Sequence, residues 1–543
     1  MSANLVNLDA LIPREDFVFS VDLPPKPQTL NHLRANELIF GGPLLTVLRK
    51  PDFQRETAFW TPEKVRDLIV TFVNEDLVPA LILWRSNANQ IFVIDGSHRL
   101  SCLIAWVNND YGNGEISKTF FGSTIPDEQV KSAEKTQKLV EEAVGSYKDI
   151  QEVFQKPFAN PKLVEIAKRL HNCVVVVQSL EGDADKAEKS FFKINEQGVP
   201  LSRTELTLLH SRKCPNAVSA RAINQHGTGG QFYWKDFDES KRAQIEKTAK
   251  RLHSLLFYPP LASSTLKTTD VPIAGREKAA GALSLLFDTV NLTNGLPDTV
   301  TPNSRAEAEK TVPQDTDGST TTTFLAKTKS IVERISSDDS SSLDLHPFVY
   351  FYSDGGRHLP SSFLAVVEMI GDFDKSNNFK QFIALREKFE EFLVSQRQLI
   401  PQLVRKARGE IKAVHNIKAF FTFCLTEFDK PDANEDSVLA ALKLTPEYSF
   451  LAPTAYPNTE YGKDFSTEIK SKTFIDYQLE HAIRCDICKA RVPNSQISFD
   501  HKLDKKYDGI GTPENIRMVH HYCNSAKDQL VPYLAKRWNK TAL

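Results

Sequence analysis

The chain of 543 residues is marked first by what it lacks. It has no run of about 18 consecutive apolar residues, which argues against a membrane-spanning helix. Its opening, MSANLVNLDALIPRED, has no basic start followed by an apolar stretch, so no secretory signal is visible. Neither sign of charge is in excess: 67 Lys and Arg face 69 Asp and Glu, a formal net charge of −2. Any nucleic-acid surface must therefore be local. No internal repeat is found. Cysteine is scarce and odd in number, at seven, which does not read as a disulfide framework.

What remains is the composition of an ordinary folded protein, 41% hydrophobic and 25% charged, with 34 Phe that suit well-packed helical cores. The length allows about two to four domains. Cys102, Cys173, Cys214 and Cys424 stand apart in apolar or mixed surroundings and read as packing residues. Cys485, Cys488 and Cys523 cluster near the end, which points to metal and to a cytoplasmic setting.

The fold class expected is α+β multidomain. Residues 1–215 alternate helical and strand-like signals. Thr61-Pro62 reads as an N-cap and first helical residue, leading a helix with Val65, Leu68, Ile69 and Phe72 on one face. Two strand-like runs follow at 80–84 and 90–95, then a helix carrying Leu100, Leu103, Ile104 and Val107. Residues 173–180, CVVVVQSL, read as a buried strand. Residues 216–470 are mainly helical and read as a coupling domain, with polar stretches 301–323 and 336–344 expected as mobile loops. Residues 475–543 form a third region.

That third region carries the strongest chemistry. Cys485-x-x-Cys488 and His520-x-x-Cys523 are two knuckles that suit tetrahedral zinc. His520 fits the two-residue gap before Cys523, with His521 as the alternative ligand. Between the knuckles lie Asp500-His501 and Asn515, and Asn524 follows the last cysteine. The gaps are 14 residues from His501 to Asn515 and 9 from Asn515 to Asn524. Asp500 and Asn524 offer hard oxygen donors that favour Mg²⁺ or Mn²⁺, and His501 offers an imidazole, the kind of group that can take a proton from water. Asp528, four residues beyond Asn524, reads either as a third ligand or as a surface acid. Lys502, Lys505, Lys506, Lys527, Lys536, Arg537 and Lys540 make the segment locally basic, which suits a phosphate backbone.

This segment resembles the HNH (ββα-metal) endonucleases. The resemblance implies a strand at SFDHKL, a loop and second strand at GIGTPENIRMVH, and a helix from Asn524 onward. It also implies that Asn515 holds the His501 loop in place.

Near the N-terminus, Asp95-Gly96-Ser97-His98-Arg99-Leu100 joins a strand to a helix, and a helix start beside an arginine is a seat for phosphate. Taken alone, such a junction reads as a turn and cap. Together with Pro51-Asp52-Phe53-Gln54-Arg55, Trp60 and Phe192-x-x-Asn195-x-x-Gly198-x-x-Leu201-x-x-x-Glu205-Leu206, it resembles the ParB/sulfiredoxin-like (DGQQR-type) domain of modification-dependent restriction and phage-defence nucleases. The likeness spans roughly residues 30–215. It implies a nucleotide-binding, NTP-hydrolysing sensor using GTP or ATP, with Asp95, Gly96, Ser97, Arg99, Gln54 and Arg55 around the nucleotide. Ser97 stands where the family has Gln, which touches hydrolysis more than fold. Gly198, Ser202 and Glu205 have a plainer reading, as a helix stop and a capping box.

The expectation is a DNA endonuclease of restriction type, cutting with Mg²⁺ or Mn²⁺ and stapled by zinc, under a nucleotide- or modification-sensing domain. Its partners would be double-stranded DNA and a nucleotide, without a membrane. The alternatives are a regulatory DNA-binding NTPase with a non-catalytic zinc domain, or an HNH nuclease acting on RNA.

Overall fold

The structure is a computed structural model. It describes residues 5–541 except 16–29, 52–53, 55–56, 58–59, 122–124, 126, 156–159, 197–202, 212, 225–233, 235–236, 262–264, 278–281, 297–304, 408–409 and 453–463. Two compact units emerge, Met1–Glu205 and Leu206–Leu543.

Among the described residues, the first unit holds one mixed sheet of six strands. These are β1 (Arg14–Glu15), β2 (His32–Leu33), β3 (Leu48–Pro51), β4 (Leu81–Arg85), β5 (Ile91–Asp95) and β6 (Val175–Leu180), ordered β1-β3-β5-β4-β6-β2. β4 and β5 form an antiparallel hairpin, while β3 lies parallel to β5 and β6 parallel to β4. Ile91 to Ile94 are all buried, the continuous apolar run of a strand covered on both faces.

Helix Pro62–Val73 starts as its sequence predicts. Thr61 accepts a hydrogen bond from the Lys64 amide, and Pro62 sits where no amide partner is needed. Val65, Ile69 and Phe72 face the core, with Leu68 at its margin. Helix Ser97–Asn108 leaves β5 directly and buries Leu100, Leu103 and Ile104. Trp106 on that helix meets Phe72 and Tyr147 edge-on and donates its indole N–H to the Gly145 carbonyl at 3.1 Å.

The second unit is helical, with long helices at Glu239–Phe257, Ser319–Ile335, Pro360–Ser376, Phe379–Ser395 and Glu410–Phe428. Phe389, Phe392, Phe420 and Phe421 pack in its core, so the abundance of phenylalanine serves helix packing as composition suggests. The same core continues into the C-terminal tail through Cys485, Cys488, Val519, Cys523, Leu530 and Leu534. None of the described helices is long and apolar enough to cross a membrane.

Of the two polar stretches expected as mobile loops, the first is corrected in part to helix, and the second is a loop with buried, hydrogen-bonded residues. Part of the first lies outside the described residues, but Arg305–Thr311 and the threonine run that opens Ser319–Ile335 are helical. Asp315 accepts from the Thr321 amide at 2.7 Å and from its hydroxyl at 2.6 Å, tying down that helix start. In the second stretch Ser337, Ser342 and Asp344 are buried. The Ser342 hydroxyl accepts from the Ser337 amide at 2.9 Å, and the Ser337 hydroxyl from the Asp339 amide at 3.0 Å. Short polar side chains here satisfy the backbone instead of loosening it.

Candidate functional site

The C-terminal tail brings Cys485, Cys488, His520 and Cys523 together, all buried, with their ligand atoms within 4.8 Å of one another. Local backbone explains the first knuckle. Lys489, left-handed at φ 64°, turns the chain so that its amide meets the Cys485 carbonyl at 2.8 Å. The Cys485 amide then meets the Ala490 carbonyl at 2.9 Å. His520 Nδ1 lies 3.3 Å from Cys488 Sγ and 3.8 Å from Cys523 Sγ. Those spacings suit neighbouring ligands on a tetrahedral zinc, whose bonds of about 2.0–2.3 Å put its ligands roughly 3.3–3.8 Å apart. His520 Nε2–H donates to the Arg491 carbonyl at 2.9 Å, which leaves Nδ1 for a metal. His521 is engaged elsewhere, on the Asp344 carboxylate.

Protonation in the cluster is in conflict. Burial pulls Cys485 up, yet hydrogen bonds from Cys488, Cys523 and His520 hold it far below the usual thiol range. The hydrogen bonds with Cys485 and Cys488, and burial, push Cys523 well above it. Burial and Arg386 pull His520 down, but the thiols push it up to about 10. A divalent cation resolves the conflict by taking every sulfur as thiolate and the imidazole as neutral. The donor set fits zinc.

Above the cluster lie two antiparallel strands, β7 (Ser498–His501) and β8 (Ile516–Val519), followed by helices His521–Ser525 and Lys527–Thr541. Register pairs Asp500 with Arg517 and His501 with Ile516. Asp500 is 6% exposed. Its Oδ2 accepts from Arg517 Nε at 3.0 Å and Nη2 at 2.7 Å, and its Oδ1 from Lys527 Nζ at 2.6 Å. Burial pulls the carboxyl up, but these two cations outweigh it and hold Asp500 below its ordinary value. It is ionised at neutral pH.

Asn524 Nδ2 donates to the Ser498 hydroxyl at 2.9 Å and to the Phe499 carbonyl at 3.3 Å. Its Oδ1 accepts no hydrogen bond among the described residues and stays available to a cation. Asn515 ties the loop after β7 together. Its Oδ1 accepts from the Leu503 amide at 2.7 Å, and its Nδ2 donates to the carbonyls of Leu503 at 3.1 Å and Ile510 at 2.8 Å. His501 is half-buried at the last position of β7 and makes no side-chain hydrogen bond among the described residues. Pleating sends neighbours in a strand to opposite faces. Asp500 and His501, adjacent and both paired on β7, therefore lie on opposite faces of the hairpin. Asp528 is exposed and faces Lys506 at 3.4 Å.

The basic character of the tail is partly spent internally. Lys527 bridges Asp500 and Asp504, Arg537 pairs with Asp429, and Lys502 Nζ donates to the Glu514 carbonyl at 3.0 Å.

In the first unit, Asp95 ends β5 and its carboxylate accepts from Arg99 Nη2 at 2.8 Å, which also donates to the Ala80 carbonyl at 3.1 Å. Gly96 has φ 93°, and a Cβ there would lie 2.4 Å from Leu81 Cδ2 and 3.0 Å from Arg99 Nη2. Only glycine fits. Gly96 itself is the N-cap and no side chain caps this helix, so the junction is not a side-chain-capped turn. Ser97 is buried, and the His98 ring stacks on Trp60 with centroids 5.6 Å apart, so His98 is no bare surface residue. Gln54 Oε1 and Arg99 Nε are buried without hydrogen-bond partners among the described residues. Arg55, Asp52 and Phe53 lie outside the described residues, as do Gly198, Leu201 and Ser202 and the side chains of Phe192, Asn195 and Glu205.

Sequence reasoning missed the partners that hold these groups. Arg517 and Lys527 clamp Asp500, and Asp344 receives His521. In the first unit Lys50, fully buried, donates to Asp9 Oδ1 at 2.6 Å and Thr57 Oγ1 at 3.0 Å. Burial pulls Asp9 up, but Arg14 and Lys50 hold it well below the carboxylate range. Only the cross-strand pairing of Asp500 with Arg517 had any sequence signal, once both strands were placed.

Residues 36–210, about a third of the chain, match the family described as the GmrSD restriction endonuclease, N-terminal domain. No curated protein and no solved structure matches the chain.

Proposed function

We propose that this chain is a restriction-type DNA endonuclease whose C-terminal tail is an HNH site and whose first unit is a ParB/sulfiredoxin-like sensor of nucleotide or modified DNA. The family match over residues 36–210 supports a restriction nuclease and DNA as its substrate. The observation that carries the HNH assignment is the hairpin β7–β8. It presents ionised Asp500 and the free Oδ1 of Asn524 from one hairpin-and-helix frame, over a zinc-competent cluster and beside a loop pinned by Asn515.

The proposed chemistry is hydrolysis of a phosphodiester. A Mg²⁺ or Mn²⁺ held by Asp500 and Asn524 would neutralise charge on the phosphate and the leaving oxygen. His501 takes the proton of the attacking water as its oxygen bonds to phosphorus, and the bond from phosphorus to the leaving sugar oxygen breaks. Asn515 keeps His501 aimed by fixing residues 503–510. Zinc, which Cys485, Cys488, His520 and Cys523 would hold, would keep hairpin and helix together and take no part in the reaction. In the first unit the Gly96 turn and Arg99 would form the phosphate seat for GTP or ATP, with Asp95, Ser97 and Gln54 around it. Because an HNH site mostly contacts phosphates, target choice falls to that sensor.

The test is a matched plasmid assay. Unmodified, glucosylated hydroxymethylcytosine and phosphorothioate DNA are each incubated with the protein and Mg²⁺, with and without GTP or ATP. Conversion of supercoiled DNA in at least one arm, dependent on Mg²⁺, is expected. Zinc-replete protein that leaves all of them intact overturns the reading.

A further inference from the structure

We propose that Asp344, 156 residues before Asp500 in the chain, is a positioning residue for the nuclease site. The inference rests on the HNH reading above and assigns it a support that no motif contains.

Asp344 is fully buried and left-handed, at φ 48°. L residues other than glycine rarely adopt this conformation, so its surroundings must fix it. Its Oδ2 accepts from the His521 amide at 2.7 Å and from His521 Nδ1 at 3.0 Å. Its Oδ1 accepts from the Ser342 hydroxyl at 2.6 Å. The neighbouring backbone grips the same short helix: Tyr522 donates its amide to the Ser342 carbonyl at 2.8 Å, and Ser525 its hydroxyl to the Ser340 carbonyl at 2.6 Å. Helix His521–Ser525 carries Cys523 and Asn524. One turn of helix has too few internal bonds to set its own direction, so these contacts set it.

The contacts close into a ring. Arg386 donates to the Asp344 carbonyl at 3.1 Å and to the Leu343 carbonyl at 2.5 Å. Arg386 also donates to Glu390 Oε1 at 2.6 Å, and Glu390 Oε2 accepts from the Arg491 amide at 3.1 Å. The Arg491 carbonyl accepts from His520 Nε2, and the chain passes from His520 to His521 and back to Asp344. Arg386 and Glu390 are both fully buried. A buried ion pair adds little stability over apolar packing of the same volume. What this one does is orient. It fixes a zinc ligand on one side and the Asn524 helix on the other.

The test uses the full-length, zinc-loaded protein in a His501→Ala background, where Mn²⁺ binding is measured without turnover. The comparison is between Asp344→Asn, which keeps an acceptor for the His521 amide, Asp344→Ala, and His521→Ala, which leaves Asp344 in place. Zinc per chain is expected to stay unchanged in Asp344→Asn and His521→Ala. The Mn²⁺ dissociation constant should rise roughly tenfold or more in Asp344→Ala, with Asp344→Asn recovering part of it and His521→Ala shifting it several-fold. Should Asp344→Ala fail to fold, the Mn²⁺ shifts in the other two variants decide the matter. Unchanged Mn²⁺ affinity in folded, zinc-replete variants overturns the role of Asp344. A parent protein that binds no Mn²⁺ fails the HNH reading instead, so the two failures are separable.

Discussion

Asp500 and His501 sit side by side in the chain and meet opposite surroundings. Asp500 is buried and pinned by two cations, while His501 stands at the strand's end with no polar side-chain contact among the described residues. A ligand benefits from being held, and a base must accept a proton and give it up. Two other histidines show burial outweighing the groups beside them. Burial holds His346 down to about 3 and His358 to about 4, overriding the nearby Glu390 in the first case and the Ile273 carbonyl in the second. Both are neutral when folded and take up a proton more readily when unfolded. Their contribution to stability is therefore complete above about 6.5 and is lost as pH falls towards 3–4. Each contributes a slope of up to about 1.4 kcal/mol per pH unit in that window. Urea unfolding at pH 7 and pH 5 should show the loss, and His346→Gln should flatten it. A stability that rises on acidification would contradict the assignment.

At the scale of elements, Asn515 is the side chain that makes the most hydrogen bonds to the backbone of the loop between β7 and β8, beside the Lys527–Asp504 pair. Asn515 makes three hydrogen bonds to Leu503 and Ile510, so Asn515→Ala should free the loop and leave the zinc cluster whole. A shift of about 1 Å in a catalytic group can cost on the order of 100-fold in rate. Cleavage should drop by that order with zinc content unchanged, read by plasmid nicking beside metal analysis. Wild-type rates would show that the loop needs no such anchor. On the first unit, Thr61→Ala removes the cap of helix Pro62–Val73 and should destabilise it by about 1 kcal/mol, measured by chemical unfolding.

These elements were the legible part. Thr61-Pro62 and the apolar runs of β4 and β5 follow from local chemistry, whereas Asp500, His501, Asn515 and Asn524 were singled out through a resemblance; the run 173–180, expected as a buried strand, instead alternates buried Val175 and Val177 with exposed Val176. Stretch 336–344 was hard to read because its serines look solvent-seeking, whereas Ser337 and Ser342 are buried and meet backbone groups. Asp344 was out of reach for a different reason. Its partner lies 177 residues away, and no spacing rule links a carboxylate in one segment to a helix start in another. Lys50 and Asp9, 41 residues apart, escaped in the same way.

On the scale of the whole molecule, the cysteine cluster belongs to the core of the second unit and the six-stranded sheet to a core of its own. Removing the metal should thus act on one unit. A strong zinc chelator is expected to lower the melting transition of Leu206–Leu543 and leave that of Met1–Glu205 in place, as two calorimetric components. Equal shifts in both would contradict separate cores.

The most direct test of the account is His501→Ala in the full chain, with zinc content and plasmid cleavage measured on the same preparation. The account predicts zinc bound as in the parent and no conversion of supercoiled DNA in Mg²⁺ or Mn²⁺. Cleavage at the parent's rate by this variant would remove the base, and with it the hydrolytic site assigned to the tail.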